Sequence, residues 1–326
     1  MDDIRWFAPN SYTTLVVPHL RRGGLRIATE GEHPARLAVA MSGTEVVPAW
    51  QFARRRGARL LLYLWDLPAG GSGRGRPDPV WWLAGRFLRI PRPWGGYGRR
   101  GHYSRLHYIA RRAEAVWVPS TMTREVVAER FGSEAERVPY CYDSDRFRPA
   151  PAAGPARARE DPPTLLTVSR LRRHKNQGAV LHAAAQIGRG VRVRIIGRGP
   201  QQQSLEALAR RLGVPCTIDT AADDQAVVRA YHEASVAVCP SRFEGFGLTP
   251  IEGVASGVPV VASDIPPHRE FVGGAARLAP ADDPAALARA VIEAIGAEPA
   301  DPALVAHLTI GAAAERFLAS LRPLLE

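Results

Sequence analysis

Short apolar runs separated by amphipathic stretches, with Gly, Pro and Asp at the joins, constrain this chain more than any other feature. In the first half the runs at 5–8, 36–41, 59–65 and 115–119 predict strands, and 45–56 and 123–131 predict helices. In the second half strands are predicted at 164–169, 191–196, 236–239 and 258–262. Helices are predicted there at 176–187, 201–212, 225–234 and 250–255, with a last helical region after Pro284. Strands that alternate with helices imply the α/β class, with parallel sheets covered by helices on both faces. A chain of 326 residues suits two such domains of roughly 150 residues each. The Pro- and Ala-rich stretch 149–163 marks the join, giving an N-terminal domain over 1–155 and a C-terminal domain over 156–310.

Composition removes several function classes. A hydrophobic share of 46% with 23% charged residues describes an ordinary globular protein able to bury sizeable cores. No uninterrupted apolar run approaches the roughly 18 to 20 residues of a membrane span. Asp2 and Asp3 open the chain where a secretion signal would be basic and then apolar. Cys141, Cys216 and Cys239 are far apart and form no C-x-x-C pair, which points to a reducing cytoplasm and away from disulfides or a zinc cluster.

The net charge is +11, and its distribution is uneven: residues 1–150 carry 24 Arg against 14 Asp and Glu. The surplus in that half suits an anionic partner such as a membrane surface or a phosphorylated acceptor, or equally a well-solvated surface. Between Trp81 and Arg100, the aromatic residues Trp81, Trp82, Phe87 and Trp94 are interleaved with Arg86, Arg89 and Arg92. That pattern fits an anionic membrane boundary, or a partly buried helix followed by a loop. Of 43 basic residues only Lys175 is a lysine, and an ammonium is not interchangeable with a guanidinium.

Three strand-to-helix junctions carry the chemistry. In Ser241-Arg-Phe-Glu-Gly-Phe-Gly-Leu-Thr-Pro-Ile-Glu252 a glycine-bearing loop leads into a helix. Thr249 suits its N-cap, Pro250 its first turn and Glu252 a capping box. A helix N-terminus behind such a loop attracts anions, and Gly245 and Gly247 allow close backbone approach to a diphosphate. On these grounds alone Glu252 is equally well explained as a cap, and Glu244 as a loop carboxylate. The second junction, Ser169-Arg170-Leu171 with Lys175, could bring two cations to one anion at a strand end. The third, Gly197-Arg198-Gly199-Pro200, fits a close nucleotide contact, but Gln202 interrupts a dinucleotide fingerprint and counts against a dehydrogenase.

Together these segments resemble the retaining GT-B-fold glycosyltransferases of family four. Those enzymes carry a Gly-Arg-Leu-x-x-x-Lys-Gly-like motif, a Gly-x-Gly-Pro turn and a Glu-x7-Glu motif, matched here by Arg170 with Lys175, by Gly197–Pro200, and by Glu244 with Glu252. The likeness is close over about 160–290 and looser at Val118-Pro-Ser120 and 142–147. It implies two Rossmann-like, doubly wound domains facing across a cleft, the first for the acceptor and the second for a nucleotide-sugar donor, with the helix at about 311–326 packing back on the first. It also implies that Arg170 and Lys175 hold the diphosphate and Glu244 the sugar hydroxyls. Glu252 would take the ribose, and the amides of Phe246, Gly247, Leu248 and Thr249 the sugar and phosphate. Transfer in that family retains anomeric configuration and needs no metal or other cofactor. The acceptor stays open among lipid-linked, polysaccharide and natural-product precursors. The expected location is the cytoplasm, with a peripheral seat on the inner membrane face as an option.

The N-terminal half departs from the family pattern. Where relatives place His before Asp at a strand end, this chain has Trp65 before Asp66, and Asp66, His102 and His107 are the candidate substitutes on the acceptor side. Asp143-Ser144-Asp145 has the spacing of a metal motif from another glycosyltransferase fold, but it lies near the domain join and no metal is expected. The residues also allow two other readings. One is a non-catalytic sugar-nucleotide-binding subunit of the same fold. The other is a basic nucleic-acid-binding protein, which no recognition motif supports, so no nucleic-acid partner is expected.

Overall fold

A computed structural model of the chain describes residues 2–7, 11–31, 33–41, 45–65, 106–150, 162–188 and 190–326. They form two compact units, Met1–Tyr140 with Ala313–Glu326, and Cys141–Ala312. The division falls ahead of the Pro-rich stretch, because the residues just after it are tied into the second unit. Arg146 pairs with Asp224, Phe147 packs edge-on against Tyr231, and the Arg148 carbonyl meets His232.

The first unit holds strands β1 (Asp2–Phe7), β2 (Ile27–Ala28), β3 (Ala35–Ala40), β4 (Arg59–Tyr63), β5 (Ala115–Val118) and β6 (Glu136–Arg137). They form one parallel sheet in the order β2-β1-β3-β4-β5-β6. Its helices include α1 (Ser11–Arg22), α2 (Val46–Arg56) and α3 (Thr121–Phe131). α1 was not read from the sequence, because Pro18 lies inside it and proline argues against a helix interior. Glycines in the left-handed region stop α2 at Gly57 and α3 at Gly132.

The second unit holds β7 (Thr164–Val168), α4 (Gln177–Ile187), β8 (Arg192–Ile196), α5 (Gln202–Leu212), β9 (Cys216–Asp219), α6 (Asp224–Glu233) and β10 (Val236–Cys239). It continues with α7 (Leu248–Ala255), β11 (Val260–Ser263), α8 (Pro266–Val272), β12 (Arg277–Ala279) and α9 (Pro284–Ala294). The sheet is again parallel, in the order β12-β11-β10-β7-β8-β9. β10 and β11 are buried at every residue, which is why they read as continuous apolar runs rather than alternating ones. Leu165, Val193, Val238 and Val261 from four strands meet Val180, Leu181 and Val291 from α4 and α9 in one core.

In this sheet β7 and β10 are neighbours although the chain leaves β7 toward β8. Strand order reverses there, and the loops leaving the two strands diverge to open a crevice at their C-terminal ends, the place where such sheets take ligands. In the first unit the corresponding reversal lies between β1 and β3. Residues 8–10 and 42–44, which follow those strands, lie outside the described residues.

The last helix, α10 (Ile310–Leu325), follows a 3₁₀ segment (Pro302–Leu308). By length and composition 302–325 could cross a membrane, yet Phe317 and Leu321 are fully buried. Phe317 packs against Tyr63, Trp117 and Tyr140, so the apolar face of α10 belongs to the core of the first unit.

Candidate functional site

At the reversal point of the second sheet, the loop from β7 carries Arg170 and Lys175, and the loop from β10 carries Glu244. Lys175 Nζ lies 2.6 Å from Glu244 Oε1, with the two side chains 13% and 16% exposed. This ion pair bridges the crevice where the strands part. Burial alone would raise the Glu244 carboxyl, but the Lys175 charge and a hydrogen bond from the Ser241 hydroxyl together bring it below the usual carboxylate value.

Each side of the pair is braced by backbone. Lys175 ends a 3₁₀ turn (Arg173–Lys175), and Asn176 then takes a left-handed conformation at φ 56°. Asn176 Nδ2 donates to the carbonyls of Pro240 (3.1 Å) and Ala281 (2.8 Å). The Arg242 amide donates to the His174 carbonyl at 2.8 Å, and Arg242 pairs with Asp282 at 2.6 Å. The basic and acidic loops are thereby stitched together before any ligand arrives.

Gly197 and Gly199, expected from sequence to contact a nucleotide, also let two loops pack closely. Their φ angles are 146° and 156°, and a Cβ at either would stand 2.0 Å from the Ser169 carbonyl oxygen or 2.4 Å from that of Leu171. The turn after β8 presses against the loop after β7, which only glycine permits. Leu171 N–H donates to the Arg198 carbonyl at 2.8 Å, and Gln177 Nε2 donates to Ser169 Oγ (2.8 Å) and the Arg170 carbonyl (3.0 Å). These contacts hold the Arg170 backbone while its side chain is exposed.

The expected capping box at Thr249 is absent. α7 starts two residues earlier, with Gly247 as its N-cap at φ 92° and no side-chain cap. The Thr249 hydroxyl donates to the Val168 carbonyl at the end of β7 (3.1 Å). A tertiary acceptor outcompetes the local one, and the helix start is tied to the neighbouring strand. Glu252, relieved of capping, accepts from the Tyr231 hydroxyl at 3.3 Å. Burial pushes its carboxyl up to about 7, against the pull of the Tyr231 hydrogen bond. The Phe246 side chain is buried edge-on against Phe271, centroids 4.5 Å apart, which anchors the loop and leaves the backbone of Gly245, Phe246, Gly247 and Leu248 at the helix start.

Of the acceptor-side candidates, only His107 is among the described residues. Asp66 and His102 lie outside the described residues, as does the segment from Trp81 to Arg100. His107 is packed at the Arg130–Phe131 end of α3, far along that helix from Ser120, where β5 gives way to it. Trp65 stacks on Tyr63, packs against Tyr140 and donates its indole N–H to the Met41 carbonyl. Asp143 faces Arg146, its partner within one turn at 3.6 Å. Sequence reading passed over Tyr231, Gln177 and His268, whose contacts to Glu252, to Ser169 and the Arg170 carbonyl, and to Ser263 and Gly247 follow no motif.

A family model described as glycosyl transferases group 1 matches residues 153–304. D-inositol 3-phosphate glycosyltransferase of Streptomyces bingchenggensis is 34% identical over 223 residues, which cover 59% of this chain and 47% of that protein. A GDP-mannose-dependent alpha-(1-6)-phosphatidylinositol monomannoside mannosyltransferase of Mycolicibacterium smegmatis is 34% identical over 48% of this chain and 46% of its own length. The segment 153–304 belongs to the glycosyl transferases group 1 family. The chain spans about half the length of the curated relatives it matches. The crystal structure of Anabaena HepE, in complex with UDP and glucose, superposes with a TM-score of 0.74 at 14% identity, covering 99% of this chain and all of that one. The chain therefore has the GT-B fold, and Lys175, Glu244 and Glu252 all fall in the family-matched segment.

Proposed function

We propose that this protein is a retaining, metal-independent glycosyltransferase that moves a sugar from a nucleotide-diphosphate sugar to an acceptor. The observation that carries the proposal is the Lys175–Glu244 pair, 2.6 Å across the reversal point of the second sheet. In this reading the ammonium of Lys175 and the guanidinium of Arg170 hold the diphosphate and offset the charge that grows on it as the glycosidic bond breaks. Glu244, pinned by Lys175 and Ser241, accepts hydrogen bonds from sugar hydroxyls. The first amides of α7 face the donor, where the helix dipole favours negative charge. Glu252, steadied by Tyr231, takes the ribose hydroxyls. The leaving phosphate then assists attack from the same face of the sugar, so configuration is retained.

For the acceptor we favour a phosphorylated or lipid-linked polyol. The Arg surplus of residues 1–150 suits an anionic acceptor or surface, and the two curated relatives are named for inositol phosphate and phosphatidylinositol acceptors. A cytoplasmic location, peripheral at the inner membrane face, accords with that choice. A second reading keeps the donor site without turnover. Trp65 favours it, because an indole committed to the Met41 carbonyl cannot give the hydrogen bonds of a histidine.

The test is nucleotide release by the purified protein from UDP-glucose and GDP-mannose, with and without EDTA, with the anomeric proton followed by NMR. Release that resists EDTA, with the sugar kept in its α configuration, is expected. Binding without release from either donor would replace the enzyme with the non-catalytic reading, and neither binding nor release would overturn both.

A further inference from the structure

His268 is buried on α8, 1% exposed, and makes two unlike contacts. Nδ1 lies 2.9 Å from the Ser263 carbonyl oxygen and 3.2 Å from Ser263 Oγ. A carbonyl can only accept, so Nδ1 carries the proton and Nε2 is left with a bare lone pair. That Nε2 is buried without a hydrogen-bond partner. A Cβ on Gly247 would stand 2.9 Å from His268 Cδ2 and 3.2 Å from Nε2, so this edge of the ring lies directly under the Gly247 α-carbon.

The Nδ1 side leads back to the ion pair. Ser263 Oγ donates to the Ser241 carbonyl, three residues before Glu244, whose carboxylate pairs with Lys175. Burial holds the His268 ring below its ordinary value, so no second cation is added beside Lys175. If the site needed only packing, an apolar ring would fill it without leaving a buried acceptor unpaired. The Nδ1 proton and the Nε2 edge instead serve opposite ends of one loop, the edge by lying beneath Gly247 where no side chain would fit.

We propose that His268 is a positioning residue for the donor, clamping loop 241–247 at both ends: through Ser263 and Ser241 toward Glu244, and from beneath at Gly247. The clamp rests on the donor-site reading above. It sets the distance between the Glu244 carboxylate and the amides that begin α7, the two parts of the loop that meet sugar and phosphate.

The test is titration calorimetry of the full chain with UDP-glucose and GDP-mannose, in wild type, His268→Asn and His268→Phe, with Tm measured on each. Asn keeps a donor for Ser263 but removes the far edge, and Phe keeps the floor under Gly247 but removes the donor. Each variant is expected to weaken the donor that wild type binds by about tenfold, with His268→Asn still folding cooperatively. A lowered Tm with unchanged donor affinity in either folded variant would make His268 a packing residue and overturn the clamp, leaving the donor site standing. Failure of wild type to bind either donor would overturn the donor site and the clamp together.

Discussion

The two units are built on the same plan but differ in how their ligand edges are organised. In the second, the loops at the strand reversal are knitted by Lys175–Glu244, Asn176–Pro240 and Thr249–Val168. In the first, the aromatic residues Tyr63, Trp65, Trp117, Tyr140 and Phe317 form a cluster, and His107, the acceptor-side candidate among the described residues, packs at the far end of α3. The difference teaches that the crevice of the second unit is written into short motifs at strand ends, whereas the described part of the first unit is an aromatic core that no such motif marks.

The largest expected effect breaks the symmetry between the units outright. Lys175→Ala should lower donor turnover by about 10²–10³-fold, the usual loss when one preorganised charge-stabilising group is removed, while His107→Ala should leave donor affinity unchanged. Steady-state nucleotide release checks both. Lys175→Ala also strands Glu244 as a partly buried, unpaired carboxylate, so Tm should fall as well, and Lys175→Ala with Glu244→Gln should recover part of that fall.

Glycines sharpen the comparison through stability. Gly197→Ala drives a Cβ to 2.0 Å from the Ser169 carbonyl oxygen and should cost about 3 kcal/mol in chemical denaturation. Gly132→Ala in the first unit meets open space at φ 55° and should cost about 1 kcal/mol. Equal losses would mean that the tight seam between the β7 and β8 loops is not there.

Titration of Glu252 gives a smaller effect with a definite sign. Its carboxyl sits at about 7 in the folded chain against 4.5 ordinarily, so between those values the folded state holds more protons than the unfolded state. Its contribution to stability therefore falls as pH rises from about 4.5 to about 7 and levels off above. The Tm of wild type relative to Glu252→Gln should decline across that window. Donor affinity should move the opposite way, rising by several-fold from pH 6 to pH 8 as the carboxylate forms, with no such rise in Glu252→Gln.

Much of the second unit was legible in the sequence because its signals are local. The strands 191–196 and 236–239, the glycine pair at Gly197 and Gly199, and the spacing of Lys175, Glu244 and Glu252 need only their own neighbourhoods to be read. What escaped depends on distant partners. The Thr249–Pro250–Glu252 pattern satisfies every local rule for a capping box, yet Val168 and Tyr231 claim those side chains. His268 carries no motif, and its contacts appear only when the loop 241–247 folds against it, with Gly247 over its ring and Ser241 reached through Ser263. The strands β9 and β12 were missed because they are short and only partly buried.

The most direct test of a nucleotide-sugar site in the second unit is thermal unfolding with UDP, GDP and their sugars, with and without EDTA, in wild type and Glu252→Ala. The account predicts that one nucleotide series raises Tm, that EDTA leaves the rise intact, and that Glu252→Ala abolishes it. A Tm that no nucleotide moves, or a rise that persists undiminished in Glu252→Ala, would contradict it.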